Sequence, residues 1–154
     1  MTPTSVATRP ARAQAPAAPV PVPAPAPAVQ ALSLTEPMLG FPRHRDYVLV
    51  PADPAGVMFW LQSVAKEGPR FLAVSAAAYF PDYAPALPGS ALVELGLPEA
   101  AGAQLFCLVT VPDGDVASAT ANLRAPLVVN SDTHRACQVV LTDGLHPIRR
   151  PVRR

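Results

Sequence analysis

Two segments of the sequence combine aromatic rings with polar side chains of the types that protein surfaces use for recognition. Prolines stiffen the first segment, which can hold Phe80 and Tyr83 as exposed anchors, or the two rings can plug the end of a barrel. In the second, Asn122 either hydrogen-bonds the turn backbone or contacts a partner, and Arg124 either faces solvent or pairs with a partner carboxylate. With Asp82, these are the candidate partner-binding residues. The segments are Tyr79-Phe80-Pro81-Asp82-Tyr83-Ala84-Pro85 and Thr120-Ala121-Asn122-Leu123-Arg124-Ala125-Pro126.

The sequence carries none of the common signatures of catalysis. It has no glycine-rich phosphate loop, no paired-cysteine zinc spacing, no His-Glu-x-x-His helix and no Gly-x-Ser-x-Gly elbow. His44, His134 and His146 are isolated from one another along the chain. We therefore predict no catalytic residue, no metal and no cofactor. An enzyme on this chain would require polar side chains to converge in a pocket.

Charge limits the classes of partner, and the surroundings of the two cysteines indicate their oxidation state. A net charge of +1 argues against a direct nucleic-acid partner. The last residues form a small basic tail, which is either a solvated terminus or a contact for an acidic partner: Arg149, Arg150, Arg153 and Arg154. Cys107 and Cys137 lie in apolar, strand-like surroundings, which favours buried free thiols over a disulfide.

The elements that must position these residues follow a proline-rich segment. Residues 1–34 are read as a disordered arm, because Pro alternates with Ala or Val from Pro19 to Pro27 and cannot support a helix or a sheet interior. Arg9 and Arg12 before an uncharged stretch imitate a signal peptide, but a Pro-Ala run could not become a membrane helix. We expect a folded domain over 35–154, in a cytoplasmic protein without a membrane segment.

Short apolar runs separated by Pro, Gly and Asp predict a mainly β domain of many brief, antiparallel strands. One short helix is expected over Ser90 to Leu97, with Ser90 as its cap and Gly96 at its end. Trp60 is the first residue that we assign to the core. The predicted strands are Tyr47–Pro51, Met58–Ser63, Phe71–Ser75, Gln104–Val111, Ser118–Leu123, Leu127–Asn130 and Arg135–Leu141.

Several blocks, in this order and spacing, resemble the flagellar assembly factor FliW family over about residues 37–151. The resemblance implies a small antiparallel β-barrel-like fold and a non-enzymatic chaperone that binds flagellin in the cytoplasm. When free of flagellin, such a protein binds the translational regulator CsrA and relieves repression of flagellin translation. We expect a monomer when free. The blocks are Gly40-Phe41-Pro42, Phe59-Trp60-Leu61-Gln62-Ser63, Phe80-Pro81-Asp82-Tyr83 with Pro85, Thr120-Ala121-Asn122-Leu123 with Ala125-Pro126 and Asn130, Gln138-Val139-Val140-Leu141, and Pro147-Ile148-Arg149.

The chain departs from the family pattern near the predicted helix. Typical members are more acidic there, whereas this chain has Ala86, Ser90 and Ala91, and it ends in arginines. A weaker acidic surface reduces attraction to a basic partner. The alternative function is therefore a flagellin chaperone without CsrA regulation.

Overall fold

The computed structural model describes residues 29–152 of the chain. It contains nine short strands, two short helices and three single 3₁₀ turns, which lie in two of the connections. The strands are β1 Gln30–Leu34, β2 Asp46–Pro51, β3 Met58–Ser63, β4 Arg70–Ser75, β5 Gln104–Thr110, β6 Thr120–Ala121, β7 Leu127–Asn130, β8 Arg135–Gln138 and β9 Arg150–Pro151. The helices are α1 Ala76–Tyr79 and α2 Gly89–Leu95.

Seven of the strands close into a barrel in the order β1-β2-β3-β4-β5-β7-β8. The pairing of β8 with β1 completes the circle and is parallel, whereas the other pairings are antiparallel. Strand β6 pairs with the second half of β5, and β9 pairs with β6, so these two extend the sheet beyond the barrel. Closure leaves few open edges, which confirms the predicted barrel-like β fold.

The interior of the barrel is filled by the inward-facing residues of the strands, which alternate with outward-facing ones. Phe59 and Phe106 meet there edge to face, with their centroids 5.3 Å apart. Such aromatic pairs add to the stabilisation from burial alone. The interior cluster is Leu32, Leu34, Met38, Tyr47, Leu49, Phe59, Leu61, Ala73, Phe106, Leu127, Val129 and Ala136.

Trp60 does not belong to this core, and its assignment as the first core residue is wrong. In β3 the buried positions are Phe59 and Leu61, so the indole of Trp60 lies on the outer face and is only partly buried. The guanidinium of Arg70 lies 3.8 Å from the centre of its ring. A cation above the indole face stabilises the ring in this partly exposed position.

Two further apolar clusters lie on the outside of the barrel and are covered by the connections. Helix α1 and the turn after it cover the outer face of β4 and β5 around Val74 and Cys107. Helix α2 covers the outer face of β7 and β8 around Val128 and Cys137. The two thiols therefore lie in separate clusters, buried and free, as predicted.

The two ends of helix α2 differ in how their free backbone groups are satisfied. Its N-cap is Pro88, which makes no side-chain cap, so the prediction of a Ser90 cap is wrong. Its C-cap is Gly96 with φ +71°, as expected for a left-handed helix end. The buried amide of Asn130 donates to the carbonyl of Leu95 at 2.8 Å and ties the helix to β7.

The predicted boundaries need three corrections. Residues Gln30–Leu34, which belong to the predicted arm, form β1 instead, because Leu32 and Leu34 alternate into the interior. Residues 1–28, the rest of the predicted arm, lie outside the described residues. The strand over Ser118–Leu123 shrinks to Thr120–Ala121, and the strand over Arg135–Leu141 ends at Gln138. No helix among residues 29–152 has the length and apolar character to cross a membrane.

Candidate functional site

The first candidate segment forms a tight turn directly after α1. The Phe80 N–H donates to the Ala76 carbonyl at 2.8 Å, and the Tyr83 N–H donates to the Phe80 carbonyl at 2.9 Å. Pro81 follows Phe80, a position at which proline favours such turns. Only 5% of Phe80 is exposed, because its ring packs in the outer cluster with Val74 and other apolar residues. Phe80 is therefore a buried anchor, which excludes its interpretation as an exposed one.

Tyr83 connects this turn to the second candidate segment. Its hydroxyl donates a short hydrogen bond to the Leu123 carbonyl. Its ring meets that of His146 edge to face, with centroids 5.1 Å apart and planes at 88°. Burial, with smaller contributions from Cys107 and Asp143, raises the pKa of Tyr83 above its ordinary value. The phenol thus stays a neutral donor across the physiological range.

Asn122 stabilises the turn between β6 and β7. Its Oδ1 accepts the backbone N–H of Arg124 at 2.9 Å and that of Ala125 at 3.2 Å. A side-chain acceptor two and three residues before its donors is the Asx-turn arrangement. The turn interpretation of Asn122 is confirmed, and this side chain shapes the site through the backbone.

Arg124 holds the C-terminal loop, residues 142–149, against the second segment. Its Nε donates to the His146 carbonyl at 3.2 Å, and its own carbonyl accepts the Leu141 N–H at 2.7 Å. The Leu123 N–H donates to the Pro147 carbonyl at 3.0 Å. Because the Arg124 side chain is only partly buried and Nε engages a backbone carbonyl, its remaining N–H groups are donors that a partner carboxylate can use.

The C-terminal loop and β9 contribute residues that are not among the five candidate residues. Arg150 in β9 places its guanidinium carbon 5.2 Å from the centre of the Phe80 ring. Leu145 is 76% exposed and Ile148 is 50% exposed, in the same loop that carries His146. The sequence does carry a signal for this loop. It has two large apolar side chains and a proline next to arginines, a composition typical of a contact site.

These groups form one continuous surface, which we call the Phe80 surface: Tyr79, Phe80, Pro81, Asp82, Tyr83, Leu123, Arg124, Leu145, His146, Pro147 and Arg150. A shallow cavity of about 180 Å³ lies between the turn and the C-terminal loop. Asp82 is exposed at its rim. An aromatic floor, exposed aliphatic side chains and arginines beside one carboxylate are the composition of protein–protein contact sites.

The Phe80 surface thus contains four of the five candidate residues, Phe80, Asp82, Tyr83 and Arg124, whereas Asn122 lies beneath it in the turn between β6 and β7. Phe80 and Asn122 support the surface from below, whereas Asp82, Tyr83 and Arg124 have atoms that a partner can reach. Whether the five bind a partner stays a prediction. Within residues 29–152 no group of three or more His, Cys, Asp or Glu side chains is arranged to hold a metal.

Comparison with known proteins places the chain in a family. The family model described as "FliW protein" matches residues 25–152. The flagellar assembly factor FliW of Symbiobacterium thermophilum is 38% identical over 117 residues, 75% of this chain and 83% of that protein. The FliW of Moorella thermoacetica is also 38% identical, over 60% of this chain and only 57% of that protein. The FliW of Bdellovibrio bacteriovorus is 36% identical, over 79% and 69%.

A solved structure supports the same relationship. The crystal structure of the flagellar assembly factor FliW superposes with a TM-score of 0.70 at 26% identity, covering 79% of this chain and 84% of that one. The family model spans the barrel and both segments of the Phe80 surface. The chain therefore belongs to the FliW family of flagellar assembly factors.

Proposed function

We propose that this protein binds flagellin in the cytoplasm as a monomer, through the Phe80 surface. When free of flagellin, it binds the translational regulator CsrA and relieves repression of flagellin translation. Membership of the FliW family supports a protein partner in flagellar assembly. The identities of both partners come from the resemblance described above.

We choose this surface because Leu145 is exposed beside the fixed rings of Tyr83 and His146. Most large apolar residues of the described chain are buried, yet Leu145 is 76% exposed next to the rings of Tyr83 and His146. Burying such a side chain in a partner is worth roughly 1.5–3 kcal/mol. The hydrogen bonds of Tyr83 and Arg124 fix the floor before binding, which lowers the entropic cost of association.

The direct test is calorimetric titration of flagellin with the parent and with Leu145→Ser. The variant should bind roughly ten to a hundred times more weakly, as expected for the loss of a buried leucine. Val64→Ser is the matched control, because Val64 is 61% exposed in the β3–β4 turn and lies outside the Phe80 surface. Equal affinity of the two variants would show that flagellin binds elsewhere.

A simple flagellin chaperone is the second candidate, and the composition of α2 favours it. Across Gly89–Leu95 the only carboxylate is Glu94, and Val93 is 81% exposed on the outside of the helix. If CsrA is recognised through acidic residues near this helix, this chain offers few of them. Titration with CsrA in the absence of flagellin separates the two functions: binding supports the partner switch, and its absence supports the chaperone.

A further inference from the structure

A row of apolar side chains crosses the outer face of the barrel, and its last member, Val109, packs against the cluster that contains Phe80. The strand registers place Val50 opposite Trp60, Trp60 opposite Leu72, and Leu72 opposite Val109. All four are partly buried and point outward, because their strand neighbours Leu49, Phe59, Leu61 and Ala73 point into the barrel. We call these four residues the outer apolar row.

Trp60 is the centre of the row and its largest ring. Arg70 covers part of one face of the indole at 3.8 Å, and the aliphatic neighbours Val50 and Leu72 flank the ring. An indole beside small apolar side chains on a β-sheet surface is the type of platform on which proline rings pack in polyproline recognition. The row therefore has the chemistry to receive a proline-rich segment.

The chain itself enters the barrel at one end of this row. Gln30 pairs with Leu49, so one further step along the antiparallel ladder places Val29 beside Val50. Val29 is 60% exposed and shares the outward face of Ala31 and Ser33. Immediately before it, residues 20–28 read Val-Pro-Val-Pro-Ala-Pro-Ala-Pro-Ala.

The lengths of the segment and the row are compatible. From β1 to β5 the row crosses four strand spacings, about 19 Å in total. A polyproline II segment rises about 3.1 Å per residue, so roughly six or seven residues span it. Residues 20–28 are long enough to do so from their attachment at Val29. Four prolines with φ already fixed also reduce the conformational entropy that docking would cost.

We propose that residues 20–28 dock on their own barrel as a polyproline II segment, laid across the outer apolar row with proline rings on Trp60. The occupant is this segment rather than a second copy of the chain or another protein. The proposal is independent of the partners of the Phe80 surface.

Trp60 is the only tryptophan of the chain, so its fluorescence reports on this contact in the full-length protein. The test variant replaces Pro21, Pro23, Pro25 and Pro27 by Ser. The matched control replaces the other four prolines of the arm, Pro3, Pro10, Pro16 and Pro19, by Ser. Both variants keep the length of the chain and leave every residue of the barrel unchanged.

In the test variant, acrylamide should quench Trp60 about twice as efficiently as in the parent, because the uncovered indole gains solvent contact. The indole N–H resonance of Trp60 should also shift. The control should match the parent in both readouts. Equal quenching and an unchanged resonance in all three proteins would overturn the proposal. So would protection of Trp60 that depends on protein concentration, which would indicate a second copy on the row.

Discussion

Two tyrosines of the same domain allow a matched test of how the Phe80 surface is held together. The Tyr83 hydroxyl donates to the Leu123 carbonyl, whereas the buried Tyr47 hydroxyl has no hydrogen-bond partner among the described residues. Replacement by Phe removes the same oxygen in both cases and keeps the ring. The two variants therefore isolate the contribution of one hydrogen bond.

The two substitutions should change the unfolding free energy differently. Tyr83→Phe loses a hydrogen bond and leaves the Leu123 carbonyl without this donor, which should cost about 1–2 kcal/mol of unfolding free energy. For a domain of this size, that lowers Tm by roughly 3–8 °C. Tyr47→Phe removes a desolvated hydroxyl without a bond, so stability should stay constant or rise by up to about 1 kcal/mol.

The assay is urea unfolding of the two variants and the parent, followed by circular dichroism. The same series should show that Tyr83→Phe, which keeps the ring contact with His146, unfolds through one cooperative transition. Equal destabilisation by both variants would show that the hydrogen bond from Tyr83 to Leu123 makes no specific contribution to stability.

Three other predictions concern stability and reactivity. Asn122→Ala should cost about 1–2 kcal/mol in urea unfolding because two backbone N–H groups lose their acceptor, and no loss would mean that water replaces it freely. Phe59→Ala should cost about 3–5 kcal/mol, clearly more than Trp60→Ala, since only Phe59 fills the interior; the reverse order would contradict the assigned faces. Burial raises the pKa of Cys107 to about 12 and that of Cys137 to about 11, from 9.0. Their stabilising effect is complete below pH 9 and is lost as pH rises toward these values, because the unfolded thiols ionise first. Unfolding free energy measured from pH 8 to 11 should therefore fall, and a flat profile would contradict the burial.

The local sequence predicted those elements that are determined by residues within them or directly beside them. The bounds of Met58–Ser63 and Leu127–Asn130 match the structure because each run lies between turn residues. The turn-forming residues at 53–56, 66–69, 112–115 and 131–133 all lie in connections between strands. The turn role of Asn122 was predictable for the same reason, because its Oδ1 accepts N–H groups from residues that follow it closely in the chain.

The features that were missed depend on long-range contacts. Strand β1 has only two interior residues, Leu32 and Leu34, and is held partly by a parallel pairing with β8, about a hundred residues further on. In Met58–Ser63, consecutive apolar residues do not reveal which face is inside, so Trp60 was assigned to the core instead of Phe59. His146 and Arg150 joined the Phe80 surface through contacts with distant residues that the sequence does not announce.

Calorimetric titration of CsrA into this protein, with and without saturating flagellin from the same organism, tests the proposed partner switch most directly. We expect CsrA to bind the free protein and to lose much of its apparent affinity when flagellin is present. Unchanged CsrA affinity in the presence of bound flagellin would contradict the switch.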